Sequence, residues 1–419
     1  MPEIIPFKGI FYNQEKIKDL EKASAPPYDV ISSEAQDRYY DNSPHNIIRL
    51  IFGKEFPSDN KLNNQYIRAG RLFKAWLRKK ILIEDKKPSF YFYCLDYQIS
   101  GRRKRLSGFI ALIKLERFAQ GKVFPHEKTL SPAKDHCLKT LRACRANFNP
   151  VFSLYQDKGS QIEKILREGM KSSPLIEVKD ENKVRHRLWA VSEQSKLSLI
   201  KKEMRDKLIF IADGHHRYET ALRFSQELAK REKSPSIKKL HNYLMMFFTN
   251  MDGRGLTILP AQRLIRKIKR FKMSKIAQSF EIEILGFGKS NELKQRERMF
   301  ERMRELGRKK IVFGMYKGGS KYYLLILRDE FKKERLDVKT LHNLLINDIL
   351  EVKEEDVDYL RDEEKAISLV REGEYRAILF HNPTRINDLR RVACSGGIMP
   401  PKSTYFYPKL LSGLVMNKF

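Results

Sequence analysis

The apolar positions of this chain fall into two kinds of run. Compact or alternating stretches at Phe90–Tyr97, Gly108–Leu115, Leu208–Ala212, Tyr243–Asn250, Ile311–Met315, Tyr322–Leu327 and Ala377–His381 predict strands. A spacing of three and four, which gathers apolar groups on one side of a helix, covers Asn64–Arg78, Gln161–Met170, Tyr218–Lys230, Lys294–Leu306 and Asp362–Arg371. Ser33-Glu34-Ala35-Gln36 has the form of a capping box and predicts a short helix after the Pro26-Pro27 turn. Strands interleaved with helices indicate a mixed α/β protein. No repeat or low-complexity segment interrupts the pattern. The domain boundary is expected after Asp252-Gly253-Arg254-Gly255, giving one domain over 1–255 and a second α/β domain over 256–419.

Composition narrows the picture. With 41% hydrophobic and 11% aromatic residues, the 419-residue chain carries enough apolar surface for two cores and too much for disorder. No run reaches the roughly 18 apolar residues of a membrane span, and Met1–Pro6 has neither part of a secretory signal. The expected location is the cytoplasm. Cys94, Cys137, Cys144 and Cys394 form no C-x-x-C pair, so no metal site is expected; Cys137 and Cys144 share a helical face, a packing arrangement.

Charge adds a partner class. Lys and Arg number 83 against 52 Asp and Glu, a net charge of +31, which suits nucleic acid, nucleotides or acidic metabolites. Most basic residues are interleaved with acids, as in KKEMRDK, a pattern of solvated surface rather than of a nucleic-acid arm. The denser runs Gly101–Arg105 and Arg263–Lys272 leave nucleic-acid binding open.

The candidate chemistry centres on Lys207–Leu222. An apolar strand runs into Asp213-Gly214, then into a helix opened by His215, His216 and Arg217. Such a turn aims free backbone N–H groups and the positive end of a helix dipole at one point, a ready anion site. Gly214 permits close backbone approach, and the three side chains add donors. Asp213 is also an ordinary turn residue before glycine, a role compatible with a functional one.

The D-G-H-H-R turn resembles the phosphate-binding motif of the ParB and sulfiredoxin superfamily. Where sulfiredoxins carry their redox cysteine this chain has His215, so that activity is not implied. The two-histidine version resembles archaeal free-serine kinases. Two further islands match that group in order: Pro125-His126-Glu127, similar to the segment with their catalytic glutamate, and Arg376–Thr384 followed by Pro401-Lys402-Ser403-Thr404. Pro401 departs from the flexible polar residue expected before that lysine. At full length the chain resembles a bacterial and archaeal family known only as domain of unknown function number one thousand and fifteen. That match rests on Pro6–Gly9, Ala25–Ile31, Asn46–Leu50, Pro125–Glu127, the Asp213–Leu222 stretch and Lys402–Leu410.

The resemblance implies a ParB/sulfiredoxin-like core, a second α/β domain whose tail returns to the site, and an active-site cleft between domains. It implies a serine kinase that moves the γ-phosphoryl group of ATP, or of another nucleotide such as ADP, to free L-serine with Mg²⁺. Glu127 is then the base, with His126 orienting it or holding phosphate. Asp213 orients the serine ammonium or binds Mg²⁺ through water, with no dedicated protein metal site. Gly214, His215, His216, Arg217, Lys402, Ser403 and Thr404 hold phosphates. Asp29 lines the pocket or only shapes its turn. Arg142 or Arg145, neighbours on a helix face, clamps the substrate carboxylate or belongs to a solvated surface. The alternative is a ParB-like, nucleotide-gated nucleic-acid-binding protein; no helix-turn-helix is visible after the Arg217 helix.

Overall fold

The computed structural model describes residues 2–118, 120–127, 129, 131–231, 239–269, 271–332, 336–400 and 402–419. The chain is a mixed α/β protein with two compact units: Met1–Thr257 with Phe406–Phe419, and Ile258–Tyr405. The last segment therefore belongs with the first unit, not with the 256–419 domain in which its sequence position places it. Pro401 lies outside the described residues. Among the described residues no helix is long and apolar enough to cross a membrane.

In the first unit, strands lie in the order Val123–Phe124, Ile209–Asp213, Val151–Tyr155, Tyr243–Asn250, Arg102–Lys114, Phe90–Ile99, Arg185–Val191 and Ile176–Lys179, with Ile4–Ile5 also on Arg102–Lys114. Tyr243–Asn250 is buried along its whole length, as a central strand covered on both faces must be. Its neighbours are Val151–Tyr155, parallel, and Arg102–Lys114, antiparallel. The core gathers Phe90, Phe92, Phe109, Trp189, Ile211, Tyr218 and Phe248, so helix His215–Arg231 is pinned to the sheet through Tyr218. Burial of aromatic groups of this size dominates the stability of the unit.

The second unit has one antiparallel sheet in the order Phe280–Gly286, Lys321–Leu327, Val312–Tyr316, Ala377–His381, Gln262–Ile265 and Val357–Leu360. Both faces carry a core. Phe313, Met315 and Leu325 pack with Leu341 and Leu345 on one side; Leu324 and Phe380 pack with Met299, Met303 and Ile367 on the other.

Several sequence expectations are refined. The helix at Ser33–Asn42 is capped by Ser32, whose hydroxyl accepts from the Ala35 N–H, while Gln36 donates to the Phe52 carbonyl instead of closing a capping box. Arg263, the first residue of a dense basic run, is wholly buried and held against His342, His381 and the Ala261 carbonyl. It adds nothing to a basic surface. In the other run, Arg105 is paired with Asp96 at 2.6 Å. Cys137 and Cys144 are buried on helix Ser131–Cys144, and all four cysteines are free thiols.

Candidate functional site

Two parallel strands build the site. Val123–Phe124 pairs with Ile209–Asp213 in the register Val123 to Ile209 and Phe124 to Phe210. Parallel strands end on the same side, so Pro125-His126-Glu127 and Asp213-Gly214-His215 emerge together, where ligands gather in α/β sheets. A bulge adjusts the second strand: Ser153 faces Ile211 and Phe152 faces Asp213, leaving Ala212 as the extra residue.

Three contacts fix the loop to the turn and its helix. The His126 backbone N–H donates to His215 Nε2 at 3.3 Å, His126 Nδ1 donates to the Ile211 carbonyl at 2.7 Å, and Thr129 Oγ1 donates to Glu219 Oε2 at 2.9 Å. The two imidazoles meet edge to face at 4.7 Å. Half-buried Glu127 lies between the anchored residues His126 and Thr129. Burial holds His126 neutral, its pKa pushed down to about 4, and pushes His215 well below the usual histidine value. The His126 proton is therefore on Nδ1, and His215 Nε2 is an acceptor.

Gly214 has φ +96, a conformation open to glycine and strained for other residues. A Cβ there would lie 2.7–2.8 Å from the Arg217 guanidinium, which packs directly on the glycine. Arg217 Nη1 donates to the Pro150 carbonyl at 2.8 Å and to Asn149 Oδ1, and Nη2 lies 3.7 Å from Asp213 Oδ2. Asp213 also accepts from Lys409 Nζ at 3.0 Å. Sequence reasoning missed Lys409 and Asn149 as site residues. Lys409 stands inside the Lys402–Leu410 match, but no local signal reveals a contact across 196 positions.

Other candidates lie differently. Arg142 grips Glu227 through Nε and Nη2 at 2.7–3.1 Å on an exposed surface. Glu227 is twelve residues along the helix from His215, about 18 Å from its start at the α-helical rise, too far for Arg142 to clamp a substrate at the turn. Arg145 lies past the end of helix Ser131–Cys144 with φ +49, so the two arginines do not share a helix face. Asp29 is exposed on the single turn Tyr28–Val30, beside Tyr28, which lines a cavity of about 70 Å³ with His136, Cys137, Asn149 and Arg217.

Lys402, Ser403 and Thr404 belong to the second unit. Ser403 is wholly buried, its hydroxyl donating to the Pro400 carbonyl at 2.6 Å, while its own carbonyl accepts from Thr384 Oγ1 at 2.7 Å. Those bonds join the Asn382-Pro383-Thr384 turn to the lysine loop and occupy the Ser403 hydroxyl locally. Lys402 is exposed with φ +55. Among the described residues no group of three or more His, Cys, Asp or Glu could hold a metal ion.

Comparison with known proteins adds a family. The profile of a family described as "Protein of unknown function (DUF1015)" matches residues 4–344. No curated protein matches the chain. Solved structures similar to it include a free serine kinase in complex with AMP, at 13% identity over 70% of this chain and 88% of that one, with a TM-score of 0.33. A conserved hypothetical protein from Pyrococcus furiosus matches at 14% identity over 69% of this chain and 90% of that one, with a TM-score of 0.32. SbnI from Staphylococcus aureus, with its C-terminus truncated, matches at 10% identity over 72% and 85%, with a TM-score of 0.34.

Proposed function

This chain belongs to the DUF1015 family, and from that premise we propose that it is a nucleotide-dependent phosphotransferase whose acceptor is the hydroxyl of free L-serine. The observation that carries the reading is the junction of the Pro125-His126-Glu127 loop with the Asp213–Arg217 turn, closed by the His126–His215 bond. The loop that carries Glu127 thereby adjoins a glycine turn at a helix N-terminus, a pairing suited to phosphoryl transfer to an alcohol. The motif likeness to free-serine kinases supplies the acceptor.

In this reading the nucleotide phosphates lie against the backbone N–H groups that follow Gly214, at the N-terminus of the helix. Glu127 accepts the proton of the serine hydroxyl. The serine oxygen bonds to the γ-phosphorus as the bond to the β–γ bridging oxygen breaks, giving O-phosphoserine and ADP; ADP as donor gives AMP. His126 fixes the direction of Glu127 through its bonds to Ile211 and His215. The donor set fits a Mg²⁺ carried mainly by nucleotide phosphates and water, with at most one or two carboxylates, as this ion prefers. When bound, it would neutralise phosphate charge.

The test is formation of O-phosphoserine by the purified protein with Mg²⁺, ATP or ADP, and L-serine, alongside other hydroxylated acceptors. Product from L-serine that disappears in Glu127→Gln supports the reading; no product from any acceptor overturns it. A ParB-like nucleic-acid binder is favoured only by the net charge of +31. It requires DNA binding that weakens steeply with salt.

A further inference from the structure

The Asp213–Arg217 turn carries less positive charge than its residue types suggest. His126 is wholly buried, His215 is 5% exposed, and both are neutral at pH 7. Arg217 is committed to the Pro150 carbonyl, Asn149 and Asp213. The Asp213 carboxylate sits at the same point and repels phosphate. A site that takes a nucleoside triphosphate here needs another cation, and the C-terminal segment supplies one.

Resting on the phosphotransferase reading, we propose that Lys409 is the residue that holds the terminal phosphates of the nucleotide, transferring its ammonium from Asp213 to them on binding. Lys409 Nζ lies 3.0 Å from Asp213 Oδ2, on the residue that immediately precedes Gly214. Its side chain is only 12% exposed, so its charge acts through a medium of lower dielectric than bulk water. The backbone around it is fixed on both sides. Asn149 Nδ2 donates to the Leu410 carbonyl at 3.2 Å and to Ser412 Oγ at 3.0 Å, and the Ser412 N–H donates to the Ala25 carbonyl at 2.8 Å. On the other side, Phe406 packs on Phe152 with ring centres 5.5 Å apart and faces His126 at 6.4 Å. With both flanks anchored, only the flexible four-carbon stem need move to carry the ammonium from carboxylate to phosphate. Asn149 also accepts from Arg217, so one asparagine registers the C-terminal segment against the turn.

Titration calorimetry of the full chain with ATP, AMP and inorganic tripolyphosphate tests this. Lys409→Met is expected to weaken ATP and tripolyphosphate about tenfold or more, as loss of a charge-assisted contact does, and AMP less than about threefold. Lys409→Arg keeps ATP within a few-fold of wild type. Asp213→Asn removes the competing carboxylate and leaves ATP binding equal or tighter. If Lys409 only tethers the C-terminal segment to Asp213, then Lys409→Met and Asp213→Asn lose ATP and AMP affinity together, with matching drops in melting temperature. That result, or unchanged ATP binding in Lys409→Met, overturns the inference while leaving the phosphotransferase reading standing. Wild-type protein that binds neither ATP nor tripolyphosphate overturns both.

Discussion

Replacing Gly214 with alanine perturbs the turn in two separable ways. The backbone at φ +96 resists any Cβ, a strain of about 1–2 kcal/mol. The new methyl would also fall 2.7–2.8 Å from the Arg217 guanidinium, forcing it away from Asn149 and the Pro150 carbonyl. Two hydrogen bonds at about 1 kcal/mol each bring the total to about 3–4 kcal/mol. Urea unfolding of Gly214→Ala should show that loss, and melting should fall by roughly 5–10 °C for a unit of this size. The same substitution in an Arg217→Met background should cost only the strain, about 1–2 kcal/mol, because the displaced bonds are already gone. A Gly214→Ala protein as stable as wild type, or an equal cost in both backgrounds, would refute the packing argument. Tripolyphosphate affinity should fall in the single variant, because a strained turn and a displaced Arg217 shift the backbone N–H groups that phosphate must approach.

Three other outcomes follow from the same geometry. Glu127→Gln should retain ATP affinity within about threefold in calorimetry while phosphoserine formation drops at least a hundredfold, the scale of general-base loss. Acid should destabilise the first unit through His126. Its pKa falls from the usual 6.5 to about 4, so the unfolded chain binds a proton that the folded one excludes, and up to about 3 kcal/mol present above pH 6.5 is lost as pH falls toward 4. Urea midpoints at pH 7, 6, 5 and 4.5 should show a shallower slope in His126→Gln than in wild type; equal slopes would remove His126 as the cause. Arg142→Ala should leave the KM for serine unchanged and cost less than about 1 kcal/mol, since it breaks an exposed pair with Glu227.

Local signals were legible where one segment carries the whole message. Tyr243–Asn250 and Ala377–His381 form strands over the residues their apolar runs predict, and the helices at Gln65–Arg78 and Glu292–Leu306 follow their periodicity. The Asp213-Gly214 turn between strand and helix was equally readable, because an apolar run, a glycine and a helical pattern adjoin there. Strands such as Ile176–Lys179 and Phe280–Gly286 were not picked out, although apolar and polar residues alternate along them; each holds only a few apolar residues, and pairing with Arg185–Val191 and Lys321–Leu327 completes them.

By itself, then, the sequence determined the longer apolar strands and the periodic helices, where the glycine turn lies, and that its neighbours are histidine and arginine. Only the tertiary structure decided how those groups behave. Parallel pairing of Val123–Phe124 with Ile209–Asp213 brought His126 to His215, and burial stripped both of charge. Packing turned Arg217 inward, hid Arg263 in a core, set Arg142 far along a helix, and returned Lys409 to Asp213. The reason is physical: period and turn chemistry act over a few residues, whereas desolvation and ion pairing depend on neighbours that folding alone brings together.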